Sequence, residues 1–192
     1  MPEAALPHRR AGSGQPLVLV HGYLGGSAQW ETEIAAFSDR YDVIAPDLPG
    51  FGDASAKPGC ASIAAMADSV LALLDQLGIG DFVLMGHSMG GMIAQEMAAK
   101  AGNRVSRLIL YGTGPLGLMP DRFEPIKLSR ERLCSDGVAK TIDRIGATWF
   151  RKGEAASGYP LVRQIGARAS AEAALNALGA MVEWDGRPAL KS

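Results

Sequence analysis

A serine flanked by glycines carries the strongest chemical signal in this 192-residue chain. Residues 86–90 form a G-x-S-x-G motif centred on Ser88, between an apolar run at residues 82–85 and a helix-forming segment at residues 92–100. A strand, a sharp turn and a helix in this order hold the central serine in a strained backbone conformation, with its hydroxyl above the sheet. The helix also directs its positive N-terminal end at the serine. Ser88 is therefore a candidate nucleophile.

A second motif lies at the end of an earlier predicted strand. Residues 17–20 form a short apolar run typical of a strand buried in a parallel sheet, and His21 and Gly22 follow it directly. A glycine-rich turn in some other doubly wound protein explains the serine motif alone, but it does not explain both motifs. Together they resemble the alpha/beta-hydrolase family, in which a nucleophile elbow carries the serine and a His-Gly pair opens the oxyanion loop.

The resemblance implies roles for particular residues. The backbone N–H groups of Tyr23 and Met89 are expected to stabilise the oxyanion that forms when Ser88 attacks. Substrate is expected to contact four further residues: Gly22, Leu24, His87 and Trp149. For His21, the alternative to a base is a structural histidine that bonds the loop backbone, and we favour this alternative because histidine commonly serves as such an anchor.

The elements that must position these residues follow from the apolar pattern. Residues 17–112 alternate strand and helix, which predicts an α/β fold with a doubly wound parallel sheet. Because ligands bind at the carboxyl ends of parallel strands, Tyr23, Ser88 and the turn after Tyr111 should meet at one edge. Residues 2–14 are predicted to be a weakly structured lead-in.

Local signals predict where turns and helices begin and end. Ser27 and Ser62 are typical N-caps, and Gly78 is a typical helix stop. Asp47 lies in an Asp-x-Pro-Gly-x-Gly turn, and we expect it to form that turn and to take no part in catalysis.

The strands stop after residue 113. Apolar residues at positions 138, 142, 145 and 149, and at 175, 178 and 182, predict two amphipathic helices, with Pro125, Gly153 and Pro160 as breaks. This pattern resembles the family's helical cap, so the predicted domains are a core at 1–113, a cap at 114–186 and the start of a C-terminal core at 187–192. Four aromatic residues either line a pocket or pack inside the cap: Trp149, Phe150, Tyr159 and Trp184.

The resemblance also implies an acid and a histidine after the nucleophile, in the order Ser, Asp or Glu, His. The three histidines of this chain are His8, His21 and His87, and none of them follows Ser88. The chain thus resembles a C-terminally truncated hydrolase. On this basis, we expect it to be nearly inert by itself, and we expect the edge of its last predicted strand, at residues 105–111, to favour self-association.

Composition excludes several other classes of function. A net charge of −1 argues against nucleic acid as a partner, and no apolar run approaches the roughly 20 residues of a membrane span. Cys60 and Cys134 have no paired motif and no nearby histidine, so neither a disulfide framework nor a metal site is expected, and a cytoplasmic location fits. No signal peptide is predicted. Residues 114–192 carry 12 basic and nine acidic residues, which suggests substrates that bear a carboxylate.

The predicted function is hydrolysis of a small ester, lactone, thioester or activated carbon–carbon bond through an acyl-enzyme, without a cofactor. The motifs look most like the carboxylesterase, enol-lactonase and meta-cleavage-product hydrolase branch of the family. One alternative is a protein that binds a small molecule without turnover. Another is a nicotinamide-dependent reductase, because residues 112–117 fit G-x-G-x-x-G. However, Pro115 and Pro120 interrupt the helix that such a motif should open.

Overall fold

The computed structural model describes residues 5–118, 122 and 124–188. Its strands are β1 (His8–Ala11), β2 (Gln15–Val20), β3 (Tyr41–Pro46), β4 (Phe82–His87) and β5 (Val105–Tyr111). Its helices are α1 (Glu31–Phe37), α2 (Ile63–Gln76), α3 (Met89–Ala101), α4 (Ile126–Gly146), α5 (Tyr159–Gly166) and α6 (Ala171–Glu183). Pro120, the first four residues and residues 189–192 lie outside the described residues.

The five strands form one sheet in the order β1-β3-β2-β4-β5. β2, β3, β4 and β5 are parallel to one another, which confirms the predicted doubly wound sheet. The prediction of a weakly structured lead-in is wrong, because β1 pairs antiparallel with β3. Arg10 on β1 donates two hydrogen bonds to Asp42 on β3, at 2.8 and 2.6 Å. This edge strand is held by pairing and an ion pair, and its polar sequence lacks the apolar pattern that reveals a strand.

The sheet is covered on both faces, and β2 shows how alternate residues divide between them. Leu17 and Leu19 pack with Trp30 and α1 on one face, while Val18 and Val20 pack with α2 and α3 on the other. All four are buried. Because both faces of β2 are apolar and covered, the strand reads as a continuous apolar run.

Two of the predicted helix boundaries are confirmed and one is wrong. The Ser62 hydroxyl accepts a hydrogen bond from Ala65 N–H at 3.0 Å, and Gly78 ends α2 with a φ of 68°. Ser27 caps no helix, because it lies within a 3₁₀ turn. Its N–H and its hydroxyl donate instead to the Asp47 carboxylate, at 2.7 and 3.0 Å. Asp47 thus ties the loop after β2 to the loop after β3.

Residues after 113 form helices packed over the carboxyl edge of the sheet. Pro160 was predicted to break a helix, but it lies in the first turn of α5, where its missing N–H costs nothing. Residues 112–117, which fit G-x-G-x-x-G, form no helix. They are pinned to the segment after α6, because Gly117 N–H donates to Trp184 O at 3.3 Å and Gly186 N–H donates to Pro115 O at 2.8 Å. None of the helices in the described part of the chain is long and apolar enough to cross a membrane.

Candidate active site

Ser88 occupies the turn between β4 and α3 with a backbone that L-residues rarely adopt. Its φ is 54° and its ψ is −122°, as the glycine spacing predicts. Ser88 N–H donates to Tyr111 O at 3.0 Å, and Ser88 O accepts from Gly91 N–H at 2.9 Å. A conformation of this kind costs about 1–3 kcal/mol and persists only where the surroundings enforce it. Both hydrogen bonds belong to those surroundings.

The glycines of the motif allow this turn to pack against its neighbours. A Cβ added to Gly90 would lie 2.5 Å from His21 O and closer still to Val20 O, at the end of β2. A Cβ added to Gly86 would lie 2.7 Å from the Cα of Gly91. Contacts this short do not occur in folded proteins, so side chains at either position would push α3 away from the sheet.

The loop after β2 lies directly against Ser88. A Cβ built on Gly22 would be 3.1 Å from Ser88 Cβ and 3.5 Å from Ser88 Oγ. Leu24, in the same loop, has a φ of 53°. Among the non-glycine residues that the structure describes, only Leu24 and Ser88 have a positive φ. The two strained residues of the described chain therefore belong to two adjoining segments of one site.

His21 is a structural residue of this loop, as expected. It is fully buried, with Nδ1 2.9 Å from Gly22 O and Nε2 3.0 Å from Leu48 N. Burial lowers the pKa of its imidazole, and the hydrogen bond to Gly22 and the nearby Asp47 offset this only in part. A neutral ring with both nitrogens bonded to backbone has no position left from which to act as a base on Ser88.

Two backbone N–H groups beside Ser88 have no acceptor among the described residues. Met89 is the first residue of α3, so its N–H has no partner in its own helix. Among the described residues, no group accepts a hydrogen bond from Tyr23 N–H either. Buried or half-buried N–H groups normally find a partner. Two such donors at one site can hold an oxygen that develops negative charge.

A cavity of about 530 Å³ opens over Ser88. Its floor includes all the predicted site residues of the core except Met89: Gly22, Tyr23, Leu24, His87 and Ser88. Its roof comes from the helical segments after residue 113: Ile145, Trp149, Phe150, Val162, Ile165 and Met181. The Met89 side chain is fully buried, so only its backbone N–H is placed to contribute. Tyr159 and Trp184, the other two aromatic candidates, are buried in packing instead.

His87 lines the cavity beside aromatic rings. Its ring centroid lies 5.3 Å from that of Tyr111 and 6.4 Å from that of Trp30, the latter edge-on. Burial lowers the pKa of His87, so the ring is neutral at pH 7. Within the part of the chain that the structure describes, no side chain forms a hydrogen bond with the Ser88 hydroxyl. The site thus presents a strained serine and two backbone N–H groups without an acceptor, and no base bonds the serine hydroxyl among the described residues.

Sequence reasoning missed Arg122, which also lines the cavity. Burial lowers the pKa of its guanidinium, although Tyr23 and Glu124 nearby oppose that effect. No local pattern singles out this arginine, which precedes α4 and donates a hydrogen bond to the Ser129 hydroxyl on that helix at 3.3 Å. Among the described residues, no group of three or more His, Cys, Asp or Glu side chains is arranged to hold a metal ion.

Comparison with known proteins places this geometry in a family. The chain is 35% identical over 155 residues to a protein from Agrobacterium fabrum described as putative carbamate hydrolase RutD, covering 80% of this chain and 56% of that one. It is 39% identical over 131 residues to an uncharacterized protein from Mycobacterium tuberculosis, covering 68% of this chain and 38% of the relative. The chain therefore spans less than two thirds of the length of these curated relatives.

A solved structure, that of a thermophilic esterase from Thermogutta terrifontis, superimposes with a TM-score of 0.80 at 30% sequence identity. The alignment covers 96% of this chain and 70% of the esterase. Residues 15–133, more than half of the chain, match the alpha/beta hydrolase fold family. This stretch holds both the loop after β2 and the turn at Ser88, and the chain belongs to the alpha/beta hydrolase fold family.

Proposed function

We propose that Ser88 is the nucleophile of a serine hydrolase that cleaves a small ester, lactone, thioester or activated carbon–carbon bond. The observation that carries this proposal is the strained Ser88 backbone at the wall of a cavity large enough for a small molecule. Membership of a hydrolase family and the similarity to an esterase support it. The expected partner is accordingly a small-molecule substrate, with neither nucleic acid nor a membrane involved.

The chemistry would proceed through an acyl-enzyme. A base takes the Ser88 hydroxyl proton as the oxygen attacks the carbonyl carbon, and it later gives that proton to the leaving group. The carbonyl oxygen meanwhile becomes an oxyanion between the N–H groups of Tyr23 and Met89. Collapse of this intermediate expels the leaving group and leaves the acyl group on Ser88, from which water later removes it. Removal of one oxyanion donor in such sites costs about 10²–10³ in kcat.

The division of the chain follows from the same proposal. Residues 1–113 would form the part of the core that carries Ser88, and residues 114–186 would form a cap that covers substrate through Trp149 and its neighbours. Residues 187–192 would begin the C-terminal part of the core. The apolar roof of the cavity, formed mainly by α4, α5 and α6, supports this division.

A second candidate function is binding of a small molecule without turnover. It is favoured by one observation: the Ser88 hydroxyl has no base among the described residues, and both nitrogens of His21 are engaged elsewhere. A serine hydroxyl is a weak nucleophile until a base removes its proton. Loss of that base costs about 10⁶ in turnover in a well-studied serine protease, while binding and the oxyanion hole retain about 10³–10⁴ over water.

Turnover of p-nitrophenyl acetate distinguishes the two candidates. The 192-residue chain and its Ser88→Ala variant should show the same low rate. A fusion protein would join this chain to the C-terminal part of the related Agrobacterium protein. The fusion should raise the rate, and Ser88→Ala should abolish the gain. Ser135→Ala, at an exposed serine that does not line the cavity, serves as the matched control and should change nothing. Saturable ligand binding by the fusion without any product would favour the binding protein.

A further inference from the structure

The surroundings of His21 determine which of its ring nitrogens carries the proton. Leu48 N–H lies 3.0 Å from Nε2, and a backbone N–H can only donate. Nε2 must therefore accept, and it carries no proton. The neutral ring then carries its proton on Nδ1, which donates to Gly22 O at 2.9 Å. Leu48, in the loop after β3, thus selects the tautomer that bonds the loop after β2.

The Gly22 carbonyl is held by two donors. Besides His21 Nδ1–H, it accepts a hydrogen bond from Gly25 N–H at 3.0 Å. Two donors satisfy both lone pairs of a carbonyl oxygen. The peptide between Gly22 and Tyr23 is planar and trans, so its C=O and N–H groups point in opposite directions. Whatever fixes Gly22 O therefore also fixes Tyr23 N–H.

The Tyr23 N–H group points in the direction that the proposed reaction needs. The Gly22 carbonyl points to the imidazole of His21, which is fully buried on the protein side of the loop. Tyr23 N–H points the opposite way, and Gly22, Tyr23 and Ser88 all border the cavity. A flip of this peptide would replace a donor with a carbonyl oxygen and would repel an oxyanion.

We propose that His21 is a positioning residue, whose Nδ1-protonated ring holds the Gly22–Tyr23 peptide with its N–H toward the oxygen that becomes negative. This inference deepens the proposed function and rests on it. A lock is needed because glycine at position 22 leaves that peptide free to rotate, and Leu24 next to it is held at a strained φ of 53°. Leu48 N–H fixes the tautomer of the ring, the ring fixes the Gly22 carbonyl, and the carbonyl fixes the direction of Tyr23 N–H.

Two variants separate the Nδ1 donor from the Nε2 acceptor. In His21→Asn the side-chain amide can still donate at the position of Nδ1, but the acceptor for Leu48 is lost. In His21→Gln the side-chain oxygen can still accept from Leu48, but no donor remains for Gly22. Both variants remove the buried ring, so a role in packing alone predicts that they behave alike. The positioning role predicts that only the glutamine variant releases the peptide.

The first measurement is by NMR on the full chain and does not depend on catalysis. The ring nitrogens of His21 should show a protonated Nδ1 and an unprotonated Nε2. The residual dipolar coupling of Tyr23 N–H should agree between the wild type and His21→Asn and should differ in His21→Gln. The Met89 N–H coupling should stay the same in all three. A proton on Nε2, or an unchanged Tyr23 coupling in His21→Gln, would overturn the inference.

The second measurement is binding of phenylboronic acid. Its boron accepts the Ser88 oxygen, the hydroxyl proton passes to the buffer, and the adduct is tetrahedral and anionic like the intermediate. His21→Gln should weaken binding about 10²-fold, the scale of one lost oxyanion donor, and His21→Asn should retain it within about threefold. Equal losses in both variants would overturn the inference. If Ser88→Ala binds phenylboronic acid as the wild type does, the proposed function fails. The residual dipolar coupling of Tyr23 N–H then tests the positioning role of His21 by itself.

Discussion

Substitution of Gly90 by alanine should separate α3 from the sheet at the Ser88 turn. Alanine is the better helix former by about 1 kcal/mol, so propensity alone predicts a more stable protein. The new Cβ would, however, lie 2.5 Å from His21 O and closer to Val20 O, and it needs at least 3.0 Å from each. Both obstacles are backbone atoms of β2 or its end, so neither can rotate away. Overpacking of this kind costs about 1–3 kcal/mol and more where backbone must move.

The expected net loss in the free energy of unfolding for Gly90→Ala is about 2 kcal/mol, measured by urea denaturation at a fixed protein concentration. Gly80→Ala is the matched control. A Cβ at Gly80 has no neighbour within 4 Å, so this variant should be as stable as the wild type or slightly more so. Gly90→Ala with unchanged or increased stability would refute the reasoning, because it would show that the turn at Ser88 is not close-packed against β2.

Three further predictions concern pH, association and specificity. The free energy of unfolding should fall as the pH drops below 6.5, the ordinary pKa of histidine. Burial lowers the pKa values of His21 and His87, so the unfolded chain binds protons that the folded chain does not. A flat pH profile would contradict this. Sedimentation should show that the chain self-associates through the edge of β5, and Leu110→Lys should suppress this association. Val182→Lys on α6 is the control and should not suppress it, because the two residues are similarly exposed, at 43% and 39%. In the fusion protein, Arg122→Gln should raise KM about tenfold for an ester that bears a carboxylate and leave KM for a neutral ester unchanged. Equal effects on both esters would contradict the proposed preference for carboxylates.

The parts of the fold that the sequence predicts are those that local chemistry determines. The glycine spacing predicts a strained Ser88 between a strand and a helix, and the structure places it there with a φ of 54°. The cap at Ser62 and the stop at Gly78 likewise depend on neighbours within a few residues. β5 was predicted to be an edge, and it is the last strand of the described sheet.

The parts that escaped prediction depend on contacts between distant segments. β1 is polar and becomes a strand only by pairing with β3, which lies about 30 residues later. Ser27 has the chemistry of an N-cap, but it lies within a 3₁₀ turn, and its N–H and hydroxyl both donate to the distant Asp47. Pro160 breaks a helix at most positions and starts one here, and only the position of the preceding turn decides between these roles. The acceptor role of His21 Nε2 requires Leu48, which the sequence alone does not bring near.

The most direct test of the central claim is identification of the acyl-enzyme. The fusion protein would be mixed with p-nitrophenyl acetate, quenched in acid within one turnover, digested and analysed by mass spectrometry. The account predicts one acetyl group, located on Ser88, which disappears at the rate of deacylation and is absent from Ser88→Ala. Turnover by the fusion protein with no acetyl group on Ser88, or with the group on another residue, would contradict the account.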